Sequence, residues 1–284
     1  MKKLKIAIPK GRINEKIIKL LSDIEIQLLT NGRNYKPKAS DSEIEIKLLK
    51  PQNIPNIVES GSQDIGFTGY DWVIEQEAKI EELLDLGFNP VKIIAAVPDN
   101  FDQSLLKTSR IRIVSEYENI SKTFLEKQGI DYRFIRAYGS TEVFPPEDAD
   151  MIIDNTSTGT TLNDNGLKII EKIMSSSTRM IGNKESMKDE WKKNKINQII
   201  MLIKSVLAAR KKVLIDMNVP ADKIDYLINV LPCMRSPTVS ELYGKKGYAI
   251  RIAVNKDEVN NLLPILKQNK VTEILISRIE KIVM

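Results

Sequence analysis

The sequence predicts an α/β fold followed by a small α+β domain, and three observations lead to this prediction. Strand-like and helix-like segments alternate through the first two thirds of the 284 residues, which is typical of sheets with parallel strands. The apolar run at residues 92–97 contains no turn residue and is predicted to be a strand that passes from one domain to another. A long amphipathic helix predicted at residues 196–212 precedes a run of shorter elements, which places a domain boundary near residue 212.

Each predicted element follows from its apolar spacing and from the turn residues that bound it. In the first block, strands are predicted at 4–8, 43–49 and 65–68 and helices at 14–23 and 51–59. The second block is predicted to contain strands at 91–97, 110–114, 132–136 and 151–153 and helices at 120–128 and 163–174. The final block has predicted strands at 213–217, 249–254 and 273–279 and helices at 222–231 and 259–268, which is the size and order of a ferredoxin-like unit.

Composition argues against several kinds of function. The chain has 43 basic and 38 acidic residues, so its surface is mixed in charge. The lysine-rich stretch at residues 184–195 is predicted to be the solvated face of a helix rather than a nucleic-acid site. No apolar run is long enough to span a membrane, and the first nine residues do not resemble a signal peptide. We therefore expect a cytoplasmic protein with no nucleic-acid partner and no membrane partner.

The residue types that the sequence lacks constrain its chemistry. It has no histidine and one cysteine, Cys233, which excludes an intrachain disulfide and argues against a zinc site. The commonest general base and transition-metal ligand is also absent. Any reaction must therefore use carboxylates, Lys, Arg, Tyr, hydroxyls or a hard cation such as magnesium.

The segment at residues 150–162 is the most informative part of the chain. An apolar strand runs through Asp154 into a turn rich in hydroxyls at a predicted helix N-terminus, formed by Ser157, Thr158, Gly159, Thr160 and Thr161. Unpaired N–H groups and the helix dipole favour a phosphate there, and Asp154 is placed to accept hydrogen bonds from sugar hydroxyls. The pattern indicates a sugar-phosphate site. The alternative, an N-cap and turn without a ligand, stays open.

Three further segments place polar side chains after predicted strands. Lys10, Gly11 and Arg12 follow the first strand, at the sheet edge where open α/β folds bind ligands, and the two cations suit a triphosphate. Asp71 begins a predicted helix, where it is either a ligand group or an N-cap. Tyr117 follows another strand, where it either stacks on a base or covers the core. The loop at residues 231–240 is explained as a plain loop or as an amino-acid pocket.

Taken together, six segments closely resemble one enzyme family. They lie at residues 7–12, 48–55, 66–72, 150–162, 217–220 and 236–240. In this order they resemble the long form of ATP phosphoribosyltransferase, the first enzyme of histidine biosynthesis. The resemblance implies a two-domain catalytic unit of the periplasmic-binding-protein type II fold and an ACT-like regulatory domain. It assigns residues 1–93 and 183–211 to the first catalytic domain, 94–182 to the second, which binds phosphoribosyl pyrophosphate, and 212–284 to the ACT-like domain.

The resemblance also implies a reaction and its sites. Adenine N1 of ATP joins C1 of phosphoribosyl pyrophosphate, and pyrophosphate leaves with inversion, together with Mg²⁺ held mainly by substrate phosphates rather than by the protein. The implied catalytic residues are Asp154, Glu142 and Arg12, whereas Asp150 is not expected on the ribose. Phosphoribosyl pyrophosphate is expected at Asp154, Ser157, Thr158, Gly159, Thr160 and Thr161, and ATP at Lys10, Gly11, Arg12, Asp71 and Tyr117.

Regulation and assembly are implied in the same way. Histidine is expected as an inhibitor bound by Met234, Ser236 and Thr238, and the chain is expected to form homo-oligomers, from dimer to hexamer. The alternative function is a non-enzymatic cytoplasmic sensor of small molecules, because a binding-protein cleft and an ACT-like tail also occur in proteins that only bind.

Overall fold

The computed structural model describes residues 2–29, 35–244 and 246–283. Its strands are β1 (Leu4–Pro9), β2 (Leu28–Leu29), β3 (Lys38–Ala39), β4 (Ile44–Leu49), β5 (Ile65–Gly69), β6 (Glu81–Asp85), β7 (Val91–Pro98), β8 (Ile111–Ser115), β9 (Tyr132–Arg136), β10 (Met151–Thr156), β11 (Leu167–Ser176), β12 (Thr178–Gly182), β13 (Lys212–Val219), β14 (Thr238–Glu241), β15 (Tyr248–Asn255) and β16 (Thr272–Arg278). Its helices are α1 (Asn14–Asp23), α2 (Ile54–Glu59), α3 (Tyr70–Glu75), α4 (Leu105–Thr108), α5 (Glu118–Gln128), α6 (Thr160–Asp164), α7 (Glu190–Arg210), α8 (Ile224–Val230) and α9 (Val259–Gln268).

The first sheet has the strand order β2-β3-β4-β1-β5-β12-β6. Strand β1 runs parallel to β4 and β5, and its apolar side chains are fully buried, as expected for a central strand covered on both faces. Because the three strands are parallel, the segments that follow them lie at one edge of the sheet, where open α/β folds bind ligands. We call the part of the chain built on this sheet the first lobe.

The second sheet, with the order β11-β7-β10-β8-β9, forms the second lobe. Strand β8 runs parallel to β9 and β10, whereas β7 runs antiparallel to β10 and β11. Strand β7 carries the turnless run seen in the sequence, and its residues 93–97 are buried. The chain enters this sheet between β6 and β7 and returns to the first sheet between β11 and β12. Two crossings therefore connect the lobes.

The predicted helix at residues 163–174 is wrong. Helix α6 ends at Asp164, Gly166 takes a positive φ of 66°, and strand β11 follows and pairs with β7 along its length. The pairing register shifts at two places, between Ile169 and Glu171 and between Lys172 and Met174. Each shift breaks the strict alternation of a strand. The apolar residues therefore have a spacing close to that of a helix although they lie in a strand.

The sheet pairing places the end of the second lobe earlier than the predicted residue 182. Strand β12 lies in the first sheet, whereas the sequence prediction assigned it to the second catalytic domain, within residues 94–182. The chain returns to the first lobe at about residue 177, because β12 pairs antiparallel with β5 and β6.

Helix α7 does not present its lysines as a uniform solvated face. The Lys195 ammonium lies 2.7 Å from carboxylate oxygens of both Asp41 and Glu43, and its side chain is only 18% exposed. Lys192 forms a 2.6 Å ion pair with the buried Asp64. The prediction of a solvated face therefore fails at these two positions, since each lysine neutralises acids of the first lobe.

The C-terminal part is a four-stranded antiparallel sheet with the order β14-β15-β13-β16 and two helices, α8 and α9. This βαββαβ arrangement confirms the predicted ferredoxin-like fold. Alternate residues of β13 are buried, so one face of the sheet forms the core, as the period of a strand dictates. The chain divides into two compact units at residues 196 and 197, within α7, and the sheet of the second unit begins at Lys212, at the predicted boundary. Among the described residues, no helix is long and apolar enough to cross a membrane.

Candidate active site

A cleft of about 470 Å³ lies between the two lobes. Its lining includes segments that follow β1, β4 and β5 in the first lobe and β8 in the second, one residue of β10, and residues of the two connections between the lobes. Five of the residues predicted to bind ATP line it: Lys10, Gly11, Arg12, Asp71 and Tyr117. The residues predicted to hold phosphoribosyl pyrophosphate lie beyond this lining, at the edge of the second sheet. Asn155, next to Asp154, is the β10 residue that reaches the cleft.

The turn after β1 supplies the cations of the first lobe. Gly11 has a φ of 80° with no heavy atom near the position of a Cβ, so the backbone conformation rather than space favours glycine there. The Lys10 ammonium lies 3.3 Å from the centroid of the Tyr35 ring, and Arg12 is exposed. Both cations are available to a polyanion entering the cleft.

Asp154 ends the buried part of β10 and is held on both carboxylate oxygens. The Thr141 hydroxyl donates to Oδ2, and the Asn155 backbone N–H donates to Oδ1 at 2.6 Å. Burial raises the pKa of Asp154 above its ordinary value, and the nearby charge of Glu142 adds to the rise, whereas the Thr141 hydrogen bond and Arg12 oppose it. Glu142 of the second lobe and Arg12 of the first therefore act on the pKa of Asp154 in opposite directions.

The hydroxyl-rich turn begins a helix, as predicted, although α6 has only five residues. Gly159 has a φ of 83° and donates its N–H to the Thr156 hydroxyl at 3.0 Å. The Thr158 and Thr160 hydroxyls are 3.0 Å apart. The side chains of the turn remain accessible, since the exposed residues are Ser157, Thr158, Thr160 and Thr161. The turn thus brings the hydroxyls of Thr158 and Thr160 together at an accessible position.

Asp71 and Tyr117 lie at the floor of the cleft. Tyr117 is 1% exposed, and its ring stacks on Trp72 with centroids 4.6 Å apart. Its hydroxyl donates to Asp71 Oδ2 at 2.8 Å, and the Ser176 hydroxyl donates to Oδ1 at 2.6 Å. Gly69, not Asp71, is the N-cap of α3. Burial and the charge of Asp71 raise the pKa of Tyr117, so the hydroxyl stays protonated and remains a donor.

The Asp150 carboxylate is bound by Arg112 rather than facing the cleft. Its carboxylate accepts 2.8 Å and 3.2 Å hydrogen bonds from the Arg112 guanidinium and a 2.7 Å bond from the Arg112 backbone N–H. This bidentate contact holds the pKa of Asp150 below its ordinary value. The two acids of β10 therefore have different environments.

Sequence reasoning missed three residues of this region. Glu116 lines the cleft, where burial and then the charge of Asp154 raise its pKa and Lys50 lowers it. Asn155 contacts both Asp154 and Tyr117. Glu75 joins α3 to α5. Glu116 and Asn155 could have been found from the sequence, because each lies at or just after the end of a predicted strand. No local signal reveals Glu75, because its partners are 43 to 45 residues away.

The predicted histidine-binding residues lie in the loop before β14 and at the first residue of β14. Met234, Ser236 and Thr238 are all exposed. The Met234 N–H donates to the Ala253 carbonyl at 3.1 Å, which ties the loop to β15. Their side chains are thus accessible on an anchored segment.

Comparison with known proteins agrees with this arrangement. A family model described as HisG, ATP phosphoribosyltransferase, matches residues 50–205, and one described as the HisG C-terminal domain matches residues 209–281. The chain belongs to the ATP phosphoribosyltransferase family. Because both models match, it is the long form that the sequence resembles. The alternative of a non-enzymatic sensor is therefore wrong.

Several ATP phosphoribosyltransferases are similar over nearly the whole chain. That of Thermodesulfovibrio yellowstonii is 40% identical over 275 residues, which cover 94% of this chain and 93% of the relative. That of Methanocaldococcus jannaschii is 40% identical over 279 residues, or 96% and 97% of the two chains. A solved ATP phosphoribosyl transferase (HisG:HisZ) complex from Thermotoga maritima matches with a TM-score of 0.63 and 26% identity, over 71% of this chain and 98% of that chain.

Family membership establishes the activity. The substrates of an ATP phosphoribosyltransferase are ATP and phosphoribosyl pyrophosphate, and the reaction is the first step of histidine biosynthesis. The enzyme is a pentosyltransferase, as the sequence predicted.

Proposed function

We propose that the cleft between the lobes holds both substrates of this reaction. ATP lies against Lys10, Gly11 and Arg12, above the floor formed by Asp71 and Tyr117. The 5-phosphate of phosphoribosyl pyrophosphate binds the turn at residues 157–161, and its ribose binds Asp154. The observation that carries this proposal is the placement of Asp154, which lies on β10 next to Asn155 of the cleft lining and shortly before the phosphate turn.

The chemistry requires positioning and electrostatic stabilisation more than proton transfer. The adenine N1 lone pair forms a bond to ribose C1 while the bond from C1 to pyrophosphate oxygen breaks. Positive charge develops on the ribose and negative charge on the leaving group. Asp154 and Glu142 stabilise the former, and Lys10 and Arg12 the latter. No general base is needed because N1 already carries a lone pair, which suits a chain without histidine.

Magnesium is proposed to enter with the substrates. Among the residues that the structure describes, no group of three or more acids or cysteines could hold a metal ion. Mg²⁺ is commonly held by substrate phosphates and water with one or two carboxylates, which fits the few acids of this cleft. When bound, it neutralises pyrophosphate charge.

A matched pair of substitutions on one strand tests the site. Asp154→Asn is expected to lower kcat/KM for phosphoribosyl pyrophosphate at least a hundredfold, since one charge that stabilises the transition state is worth roughly 3 kcal/mol. Asp150→Asn changes the same group at the other end of the same strand and is expected to leave kcat/KM within about twofold, measured well below the unfolding temperature. Equal losses in both variants would contradict the assignment.

We further propose that the C-terminal domain mediates inhibition by histidine and that the enzyme is a cytoplasmic homo-oligomer, from dimer to hexamer. The hydroxyls of the exposed Ser236 and Thr238, beside the exposed Met234, suit an amino-acid ligand. Ser236→Ala with Thr238→Ala is expected to abolish inhibition and preserve catalysis, and a sizing experiment with and without histidine reports the oligomer. Unchanged inhibition in the double variant would exclude this loop.

A further inference from the structure

A continuous chain of hydrogen bonds connects the two lobes beneath the cleft. It starts at Asp71 of the first lobe, whose Oδ2 accepts from the Tyr117 hydroxyl at 2.8 Å. The Tyr117 oxygen accepts from Asn155 Nδ2 at 3.1 Å, and the same Nδ2 donates to Asp154 Oδ1 at 3.1 Å. The chain therefore ends on the acid that we place at the ribose.

The donors in this chain allow one arrangement of hydrogen atoms. A tyrosine hydroxyl has one hydrogen atom, and Asp71 takes it, so the oxygen can only accept from Asn155. The Asn155 amide has two hydrogen atoms, one for Tyr117 and one for Asp154. The amide orientation is thus fixed by its neighbours, and Asp154 receives the backbone and side-chain donors of Asn155 on Oδ1 and the Thr141 hydroxyl on Oδ2.

We propose that Tyr117 and Asn155 are positioning residues that fix the Asp154 carboxylate for phosphoribosyl pyrophosphate and make its orientation depend on the contact between the lobes. Tyr117 thereby serves the phosphoribosyl half of the reaction, in addition to the floor of the ATP cleft. The inference rests on the proposed role of Asp154 as the ribose-binding acid.

The surrounding contacts hold the chain in place. Trp72, next to Asp71, stacks on the Tyr117 ring. Glu75, at the end of the same helix, accepts the N–H groups of Glu118 and Ile120 at 2.7 Å and 3.1 Å. Helix α3 of the first lobe is thus bound both to Tyr117 and to the first residues of α5, which holds Asp71 at the Tyr117 hydroxyl.

Tyr117→Phe tests the inference, because it removes the hydroxyl and keeps the ring on Trp72. We expect kcat/KM for phosphoribosyl pyrophosphate to fall roughly tenfold to a hundredfold, since small misplacements of catalytic groups cost that much. Because the ring at the floor of the ATP cleft is kept, the KM for ATP is expected to change less than kcat/KM for phosphoribosyl pyrophosphate. Asn155→Ser keeps the backbone N–H bond to Asp154 and removes the amide bridge, so it is expected to lower kcat/KM for phosphoribosyl pyrophosphate as Tyr117→Phe does. It replaces Tyr117→Phe as the test if that variant does not fold.

A double-mutant cycle separates positioning from a structural role. If Tyr117 acts through Asp154, Tyr117→Phe changes kcat/KM for phosphoribosyl pyrophosphate less than about twofold in the Asp154→Asn background. The same fold-loss in both backgrounds, or a loss confined to ATP, would overturn the inference and leave the role of Asp154 intact. Wild-type kcat/KM in Asp154→Asn alone would instead overturn the proposed function.

Discussion

At the scale of single residues, Asp150 and Asp154 show how one strand gives two acids different properties. Arg112 binds Asp150 in a bidentate contact and holds its pKa below the ordinary value. Burial raises the pKa of Asp154, and Glu142 raises it further. Pairs of titratable groups whose surroundings shift their pKa values apart commonly mark a catalytic site. This difference in environment supports our proposal that Asp154, rather than Asp150, binds the ribose.

Two substitutions are expected to move the pKa of Asp154 in opposite directions. Activity requires the ionised carboxylate, so kcat/KM falls on the acid side as Asp154 is protonated. Glu142→Gln removes a like charge, lowers the pKa and shifts this acid limb to lower pH. Thr141→Val removes a donor to the ionised form, raises the pKa and shifts the limb to higher pH. The measurement is kcat/KM for phosphoribosyl pyrophosphate against pH. Shifts in the same direction would contradict the account.

The contact between Arg112 and Asp150 predicts a pH-dependent contribution to stability. Folding lowers the pKa of Asp150 below its ordinary value of 3.8. The contact therefore stabilises the folded protein fully at pH values above 3.8, and this stabilisation is lost as the pH falls through the pKa of the folded state. Arg112→Met is expected to reduce the free energy of unfolding at pH 7 by about 1 kcal/mol for this partly exposed pair. Denaturant unfolding at several pH values should show the difference from wild type shrinking in acid.

The control for this prediction is Arg110→Met. Arg110 makes a longer, 3.7 Å contact with Asp131, and both side chains are more than 60% exposed. Exposed ion pairs of this kind contribute little to the free energy of unfolding, so Arg110→Met is expected to cause no measurable pH-dependent change in it. An equal effect in the two variants would mean that bidentate geometry is not the cause.

At the scale of elements, there is a physical reason why the helix prediction at residues 163–174 was wrong while the strand predictions were confirmed. Strands such as β1 and β8 are short and regular, so their apolar runs and the turns after them identify both the element and the sheet edge. Strand β11 has two register shifts and follows a Gly166 turn, and its spacing therefore imitates a helix. Sequence periodicity cannot show pairing with β7, which is more than 60 residues away along the chain.

The junction of α3 and α5 is expected to depend on Glu75. This carboxylate is 4% exposed and accepts backbone N–H groups from the first residues of α5. Glu75→Ala would leave these buried donors without a partner, so we expect the free energy of unfolding to fall by about 2 kcal/mol. Thermal or denaturant unfolding measures it. Glu126→Ala, on the exposed side of α5, is the control, with an expected change below about 0.5 kcal/mol. Similar losses of unfolding free energy in both variants would show that the Glu75 contacts with α5 are not the cause.

At the scale of the whole molecule, the sequence predicts which side chains follow strands but not which of them meet. Lys10 and Asp154 were predicted because parallel strands bring their carboxyl ends to one edge of each sheet. Glu75 joins the lobes through partners 43 to 45 residues away in the sequence, and these contacts exist only once the two lobes lie beside each other. Asn155 reaches Tyr117 across 38 residues within the second lobe. Glu75 and Asn155 were therefore missed, whereas Asp71 and Tyr117, which also join the lobes, were predicted.

The central claim is that this two-lobed cleft joins ATP to phosphoribosyl pyrophosphate. The most direct measurement is pyrophosphate release by the purified chain with ATP, phosphoribosyl pyrophosphate and Mg²⁺, followed together with the ultraviolet absorbance of the adenine. We predict one pyrophosphate for each N1-phosphoribosyl-ATP formed, and neither product when either substrate is omitted. Binding of both substrates without pyrophosphate release would contradict the account.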